Sequence, residues 1–294
     1  MSEAGRRFGF VQFEFPWALG PADGRYVLRE AGPGDAQAKD AGARGAAAEH
    51  VVVLATLGAP ERRRFSGRRP APAQPEPPAE PVPTSRATVI RAEPLAGEGA
   101  ARAWIRVDPE ARAGEALVVL GRVIGAHRVA AADPHVREPG RGQALAARVG
   151  HGTGEQVAEG RWIVALTLPA PRGRRARRTS ALRPQERLAA LLAGRERALA
   201  CEEMVLRARL DLDTGRDREA ALQLAAALEA ALAELPGEGE LAPRRAELSE
   251  RRKAVAAAAA AARAGELSPE RREAVTAALG RLEAALRARS AGRR

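Results

Sequence analysis

Residues 184–235, PQERLAALLAGRERALACEEMVLRARLDLDTGRDREAALQLAAALEAALAEL, contain two apolar runs separated by a short break. Large apolar residues recur at helical spacing in both runs, so each run predicts an amphipathic helix. Asp213, Thr214 and Gly215 supply turn chemistry between them, because Gly215 can adopt a positive φ without a Cβ clash. Two helices joined by so short a turn are expected to pack antiparallel as a hairpin.

The helical spacing also predicts which side chains face the partner helix. Pro184 suits a first turn, where its missing N–H would have no intrahelical partner. The predicted stripe of the first run consists of Leu188, Leu191, Leu192, Leu199, Val205, Leu206 and Leu210. The predicted stripe of the second run consists of Ala221, Leu224, Ala225, Leu228, Leu232 and Leu235.

The string TGRDREAALQLAAALEAALAELP, residues 214–236, resembles the second helix of a tetratricopeptide repeat. The resemblance covers only residues 186–236, and it depends on Gly215 before the helix, on the small Ala220 and Ala221, and on the closing Pro236. It implies a helical protein-interaction surface. Repeats of this kind bury their apolar faces against neighbouring copies at a period of about 34 residues, and no second copy follows at that period. A generic Ala/Leu-rich hairpin is therefore the alternative interpretation.

The N-terminal part of the chain is predicted to form a sheet. Residues 7–17 (RFGFVQFEFPW) alternate as a strand does, and residues 25–29 (RYVLR) are expected to return beside them as a hairpin. Further strands are predicted at 50–57, 86–93, 102–107, 144–149 and 161–168. Asp108 and Pro109 predict the N-cap and first turn of one main helix that runs to about residue 131. The expected fold class is α+β, a mostly antiparallel sheet with one main helix, followed by an α-helical hairpin or bundle.

Composition divides the chain into domains and connectors. An α+β domain is predicted at 1–169, with flexible insertions at 31–49 and 58–85. The first insertion is rich in Gly and Ala, and the second is rich in Pro, so both have too little apolar area to repay the entropy of ordering. Residues 170–183 are predicted as an arginine-rich linker, and 184–294 as an α-helical domain in which two alanine-rich helices follow the hairpin.

The net charge of +11 is concentrated in two segments. Residues 58–86 and 170–183 hold nine of the eleven excess positive charges, so the predicted domains are nearly neutral. The candidate contacts to an acidic partner or to nucleic acid are Arg172, Arg174, Arg175, Arg177 and Arg178. They could bind phosphates through counterion release, although aromatic residues for base stacking are absent apart from Phe65. A solvated linker is the alternative interpretation.

The string GHGTGE, residues 150–155, is predicted to be a glycine-rich loop. Successive glycines can point backbone N–H groups at an anion, which makes His151, Thr153 and Glu155 candidate anion-binding or ligand-binding residues. The same side chains could support acid–base chemistry. A tight β-turn is the alternative, because the string lacks both the GxGxxG spacing before a helix and a Walker lysine.

Other chemistry is not indicated by the sequence. The four histidines and the single cysteine, Cys201, show no metal-ligand spacing, and there is neither a GxSxG motif nor a recognisable nucleophile–base pair. No catalytic residue, metal or cofactor is therefore predicted. A single cysteine fits a reducing compartment, and neither a signal-peptide pattern nor a membrane-spanning apolar run is present. These features predict a cytoplasmic protein without membrane contact.

The function expected from these features is that of a non-enzymatic interaction or scaffold protein. Residues 184–235 would bind a protein partner, and the arginine-rich linkers would attract acidic partners. An enzyme with its site at the GHGTGE loop is one alternative, and a deep pocket lined by His151 and Glu155 would favour it. A nucleic-acid-associated protein that acts through the linkers is another, and its binding would weaken steeply with salt.

Overall fold

The computed structural model describes residues 6–29, 48–58, 83–171, 184–265 and 267–291. The chain divides into two compact units, Met1–Pro171 and Arg172–Arg294, called here the sheet unit and the helical unit. The candidate arginines of residues 172–178 lie outside the described residues, as does most of both predicted insertions.

The sheet unit contains six antiparallel strands among its described residues. They are β1 (Arg7–Phe15), β2 (Gly24–Arg29), β3 (Ala48–Leu57), β4 (Thr84–Arg91), β5 (Ala146–Thr153) and β6 (Val164–Thr167). Their order in the sheet is β2-β3-β4-β1-β5-β6, and every neighbouring pair is antiparallel. Together with the helices described below, this sheet confirms the predicted α+β class.

Helices pack on both faces of the central strand β1. Helix α1 (Glu98–Arg106) and helix α2 (Pro109–Ala131) belong to one side, and the short helix α3 (Gly154–Ala158) to the other. Phe13 and Phe15 share the larger core with Ile124 of α2. Phe10, on the opposite face of β1, forms a smaller cluster with Val157 of α3. Strand β1 therefore has apolar residues on both of its faces, because helices cover both.

Helix α2 is confirmed where its N-terminal signals placed it. The carboxylate of Asp108 accepts a hydrogen bond from the Ala111 backbone N–H at 3.0 Å, and Pro109 lies in the first turn. Leu120 and Ile124 are fully buried. A local cap and a long apolar stripe are therefore enough to predict this helix.

The strand predicted at 102–107 is wrong, because these residues belong mainly to α1. Ala101, Trp104 and Ile105 are buried or half-buried, and they have the i, i+3, i+4 spacing of one helix face. A run of six residues satisfies both periods, so periodicity alone could not distinguish strand from helix.

The hairpin predicted between residues 7–17 and 25–29 is also wrong. Strand β2 pairs with β3, whereas β1 lies between β4 and β5. Leu19, in the connection after β1, is buried in the larger core. The chain therefore leaves the sheet after β1 instead of turning back along it.

The described residues of the helical unit form α4 (Pro184–Leu192), α5 (Ala200–Asp213), α6 (Asp217–Glu234), α7 (Ala242–Ala264) and α8 (Pro269–Ala291). Helices α5 to α8 share one apolar core, as a four-helix bundle does. Helix α4 contributes no buried residue to it. None of the helices in the described ranges combines the length and hydropathy needed to cross a bilayer.

The first predicted run of the hairpin is two helices, not one. Helix α4 ends at Leu192, and Gly194 adopts a φ of +68° while its N–H donates to the Leu191 carbonyl at 3.1 Å. A glycine with positive φ after a helix is a common C-terminal cap. The second turn follows the sequence prediction, since Gly215 has a φ of +73° between α5 and α6.

Candidate protein-interaction site

The leucine stripe predicted for residues 188–210 is mostly exposed, so that prediction is wrong. Helix α5 buries Cys201, Val205, Ala208 and Leu212. The predicted core leucines that remain largely exposed are Leu188, Leu192, Leu206 and Leu210. The small Cys201 and Ala208 let neighbouring helix backbones approach closely at these two positions.

The N-terminus of α5 is capped by a side chain from α6. Leu199 has no polar side chain to act as an N-cap, and the Glu234 carboxylate accepts instead from the backbone N–H groups of Ala200 at 2.9 Å and Cys201 at 3.1 Å. Burial opposes the ionisation of Glu234, but these two donors outweigh it, and its pKa lies below the ordinary value. This contact fixes the end of α6 against the start of α5.

Ion pairs attach α4 to the bundle. Arg187 donates to both carboxylate oxygens of Glu202 at 2.7 and 2.8 Å and to Glu196 at 3.2 Å. Arg289, which is only 7% exposed, donates to Glu202 at 3.2 Å. Burial works against the charge of Arg187, but the two carboxylates outweigh it and raise its pKa. Helix α4 is therefore held by charge and not by apolar burial.

A cavity of 620 Å³ opens beside this network. It is lined by Ala190, Gly194, Arg195, Glu196, Arg197, Leu199 and Arg289. Arg289 and Glu196 have ion-pair partners. Arg195 and Arg197 are exposed, and within the described residues no carboxylate pairs with them. The cavity therefore has two positive side chains available to an incoming acidic group.

The Cys201 thiol is not available for chemistry at this site. It is fully buried at the start of α5. Burial and the neighbouring Glu234 raise its pKa to about 12, and a thiol in that state is a poor nucleophile at neutral pH.

The GHGTGE string is not a loop. Residues 150–153 are the end of β5, and Gly154 begins α3. A Cβ at Gly150 would lie 2.5 Å from the Val164 carbonyl oxygen. This glycine therefore permits close packing between strands, which the spacing of residues within the string does not indicate.

The structure assigns different surroundings to the three residues predicted from this string. The Thr153 hydroxyl accepts from the Gln156 N–H at 3.4 Å, and its own N–H donates to the Gln156 side chain at 3.1 Å, which forms a capping box for α3. His151 is 4% exposed within β5, and Glu155 is exposed on α3. Burial and the nearby Arg7 lower the pKa of His151.

In the described part of the chain, no group of three or more His, Cys, Asp or Glu side chains could hold a metal ion.

Comparison with known proteins yields no relative. No family model matches the chain, and neither a curated protein nor a solved structure matches it.

The residues that build this site were missed because they act across long sequence separations. Glu234 lies 34 residues from Ala200 and 33 from Cys201, and Arg289 lies 87 residues from Glu202. Local spacing carries no signal for such pairs. The only local signal is Gly194, whose role as a helix terminator could have been predicted from its position after an apolar run.

Proposed function

We propose that the protein is a non-enzymatic interaction protein, and that its helical unit binds an acidic, partly apolar segment of a partner protein. The binding surface consists of α4 and residues 194–197. One observation carries the proposal: Leu192 is 80% exposed and lies three and five residues before Arg195 and Arg197, which no carboxylate of the described residues pairs with.

Apolar burial and charge would both favour such a partner. Fully burying one leucine side chain contributes about 1.5–3 kcal/mol, and α4 presents Leu188 and Leu192 without covering them itself. Arg195 and Arg197 attract carboxylates, which speeds association and sets the orientation of the partner. Since α4 contributes nothing to the bundle core, a partner could cover it without disturbing the fold.

The chemistry of this end of the bundle supports binding over catalysis. Glu202 and Glu196 are engaged by arginines, and Glu234 is engaged by backbone N–H groups. Together with the protonated thiol of Cys201, this leaves no poised acid, base or nucleophile among the residues that form the site.

Site-specific photo-crosslinking in cells tests the proposal. A photoreactive amino acid replaces Leu192 in the full chain, and an identical probe at Val129, which is equally exposed but in the sheet unit, serves as the control. The Leu192 probe should give a discrete crosslinked protein that contains an acidic segment, and the Val129 probe should not give that product.

Charge reversal then separates specific binding from random capture. The double change Arg195→Glu and Arg197→Glu should remove most of the crosslinked product. The matched change Arg263→Glu and Arg271→Glu places the same charges at the C-terminal end of α7 and the start of α8, away from the proposed surface. It should leave the crosslinked product intact. Equal loss with both pairs, or no loss with either, would exclude this surface.

A further inference from the structure

A separate cavity lies in the sheet unit, where the ends of β3 and β4 meet α1 and α2. Its volume is 430 Å³, within the usual range of small-molecule sites, and it is lined by Ala48, Glu49, His50, Arg91, Glu93, Trp104, Arg112 and Glu115. His50 and Arg91 are paired neighbours in β3 and β4. This cavity is called the sheet cleft below.

A glycine in β1 positions the indole of the sheet cleft. A Cβ at Gly9 would lie 2.5 Å from the Trp104 ring, so only glycine lets this indole lie against the strand. The guanidinium of Arg112 stacks on the same indole, with its central carbon 4.0 Å from the ring centre. Stacking of this kind holds a cation in place while leaving its N–H groups free to donate.

Two donors of this stack have no acceptor. The indole N–H of Trp104 and the Nε–H of Arg112 are both buried without a hydrogen-bond partner. Arg112 also forms no ion pair with any carboxylate of the described residues. A buried donor left without an acceptor is unfavourable, so two in one cleft require an explanation. A ligand oxygen that enters the cleft would supply that acceptor.

The other charges of the sheet cleft are paired, with one exception. Arg91 pairs with Glu93, and Glu49 pairs with Arg122 at 3.5 Å. The Nδ1 of His50 lies 3.6 Å from Glu49 and is buried without a hydrogen-bond partner. Glu115 is exposed and has no ion-pair partner among the described residues. Arg112 and Glu115 are three residues apart on α2, so they occupy neighbouring positions of one helix face. One positive and one negative side chain are therefore left to a ligand.

We infer that the sheet cleft binds a small zwitterion with one carboxylate and one ammonium group, as in a free amino acid. The carboxylate accepts from Arg112 and from the indole of Trp104. The ammonium group lies between Glu115 and the imidazole of His50.

The protonation state of His50 agrees with this arrangement. Burial is the largest influence on its pKa and lowers it, and Arg122 and Arg91 act in the same direction, while Glu49 opposes them. The lowered pKa favours the neutral imidazole, which has one ring nitrogen that can accept a hydrogen bond from an ammonium group.

The charge balance of the sheet cleft disfavours a phosphate. Three carboxylates and two guanidinium groups line it, so a doubly negative ligand meets net repulsion. A planar carboxylate also matches the planar fork of an arginine. The inference concerns a different unit from the proposed function and stands independently of it.

A nuclear magnetic resonance titration of the full chain tests the inference. The protein has three tryptophans, so the indole N–H signals of Trp17 and Trp162 are internal controls for that of Trp104. Glycine is the probe, and acetate and inorganic phosphate are the comparisons. Glycine should shift the Trp104 signal saturably, acetate should bind at least about tenfold more weakly, and phosphate should not saturate.

Substitutions assign the two ends of the ligand. Arg112→Gln should weaken glycine binding at least about tenfold, as expected for a lost charged hydrogen bond, and Arg112→Lys should restore only part of it. Glu115→Gln should weaken glycine but not acetate. Arg106→Gln, an exposed change on α1, is the control and should alter neither. Tighter binding of phosphate than of glycine, an unmoved Trp104 signal, or unchanged binding by Arg112→Gln would overturn the inference.

Discussion

The two units bury different kinds of side chain. The core of the sheet unit is built on large residues such as Phe13, Phe15 and Ile124. The core of the helical unit contains leucines but no aromatic ring among the described residues, and the alanines buried in it are Ala208, Ala220, Ala221, Ala227, Ala231, Ala258, Ala262, Ala278 and Ala285. Large side chains fill the space between a sheet and its helices, whereas alanines let helices approach closely.

The two units also differ in what surrounds their proposed binding surfaces. In the helical unit, ion pairs such as Arg209 with Glu283 at 2.8 Å join the helices, and some leucines, among them Leu192 and Leu206, remain exposed while others are buried in the core. In the sheet unit, buried donors of Trp104 and Arg112 have no hydrogen-bond partner. The site proposed for the helical unit therefore uses exposed apolar area, and the site proposed for the sheet unit uses unpaired polar groups.

The largest expected effect is on the aromatic core. Phe13→Ala should destabilise the sheet unit by about 3–5 kcal/mol, because it removes a fully buried ring and leaves a cavity. All three tryptophans lie in this unit, so urea unfolding followed by tryptophan fluorescence reports on it. A change of less than about 1 kcal/mol would contradict the packing described for β1.

Overpacking should distinguish the helical unit. Ala221→Leu should cost about 1–3 kcal/mol, since Ala221 is fully buried between closely packed helices. Ala226→Leu, at an exposed position of the same helix, is the matched control and should be nearly neutral. Circular dichroism at the helical band measures both. Equal tolerance of the two substitutions would show that the helices are not closely packed at this point.

The smallest expected effect is the acid sensitivity of Glu14 in the sheet unit. Burial raises its pKa, but Arg148 at 2.9 Å and Arg86 at 3.1 Å outweigh this and lower the pKa below the usual 4.5. The stabilisation from these ion pairs is therefore complete above the pKa that Glu14 has in the unfolded chain, and it is lost as pH falls through the lower pKa that Glu14 has in the folded protein.

Glu14→Gln should accordingly cost about 1–2 kcal/mol near neutral pH and much less in acid. Urea unfolding across the acid range, followed by tryptophan fluorescence, measures the difference. Glu155→Gln, an exposed carboxylate on α3, is the control and should show no such trend. A constant cost of Glu14→Gln at all pH values would exclude the ion pairs as its origin.

The elements that were predicted correctly have a local sequence signal, such as alternation or a helix cap. Strand β1 was predicted by its alternation, and α2 by the Asp108 cap with Pro109 in the first turn. The strand at 102–107 failed because six residues fit either period. The prediction of a GHGTGE loop was wrong, because Gly150 is needed where the Val164 carbonyl approaches β5. Val164 lies in the neighbouring strand, and the spacing of residues within the string does not indicate that neighbour.

The candidate sites were predicted less completely than the fold. The sequence predicted a protein-interaction surface in residues 184–235, but it assigned Leu188 and Leu192 to the stripe that packs against the partner helix, and the structure leaves both exposed. It gave no indication that Gly9, Trp104 and Arg112 would meet, since three separate elements bring them together.

The α+β class and the main helix could be predicted from the sequence, because alternation, apolar stripes and caps act between residues close in the chain. The strand order, the cap that Glu234 provides for α5 and the pairing of Arg289 with Glu202 became known from the folded chain alone. Those contacts depend on which surfaces of distant segments fit against each other, and local spacing does not record that fit.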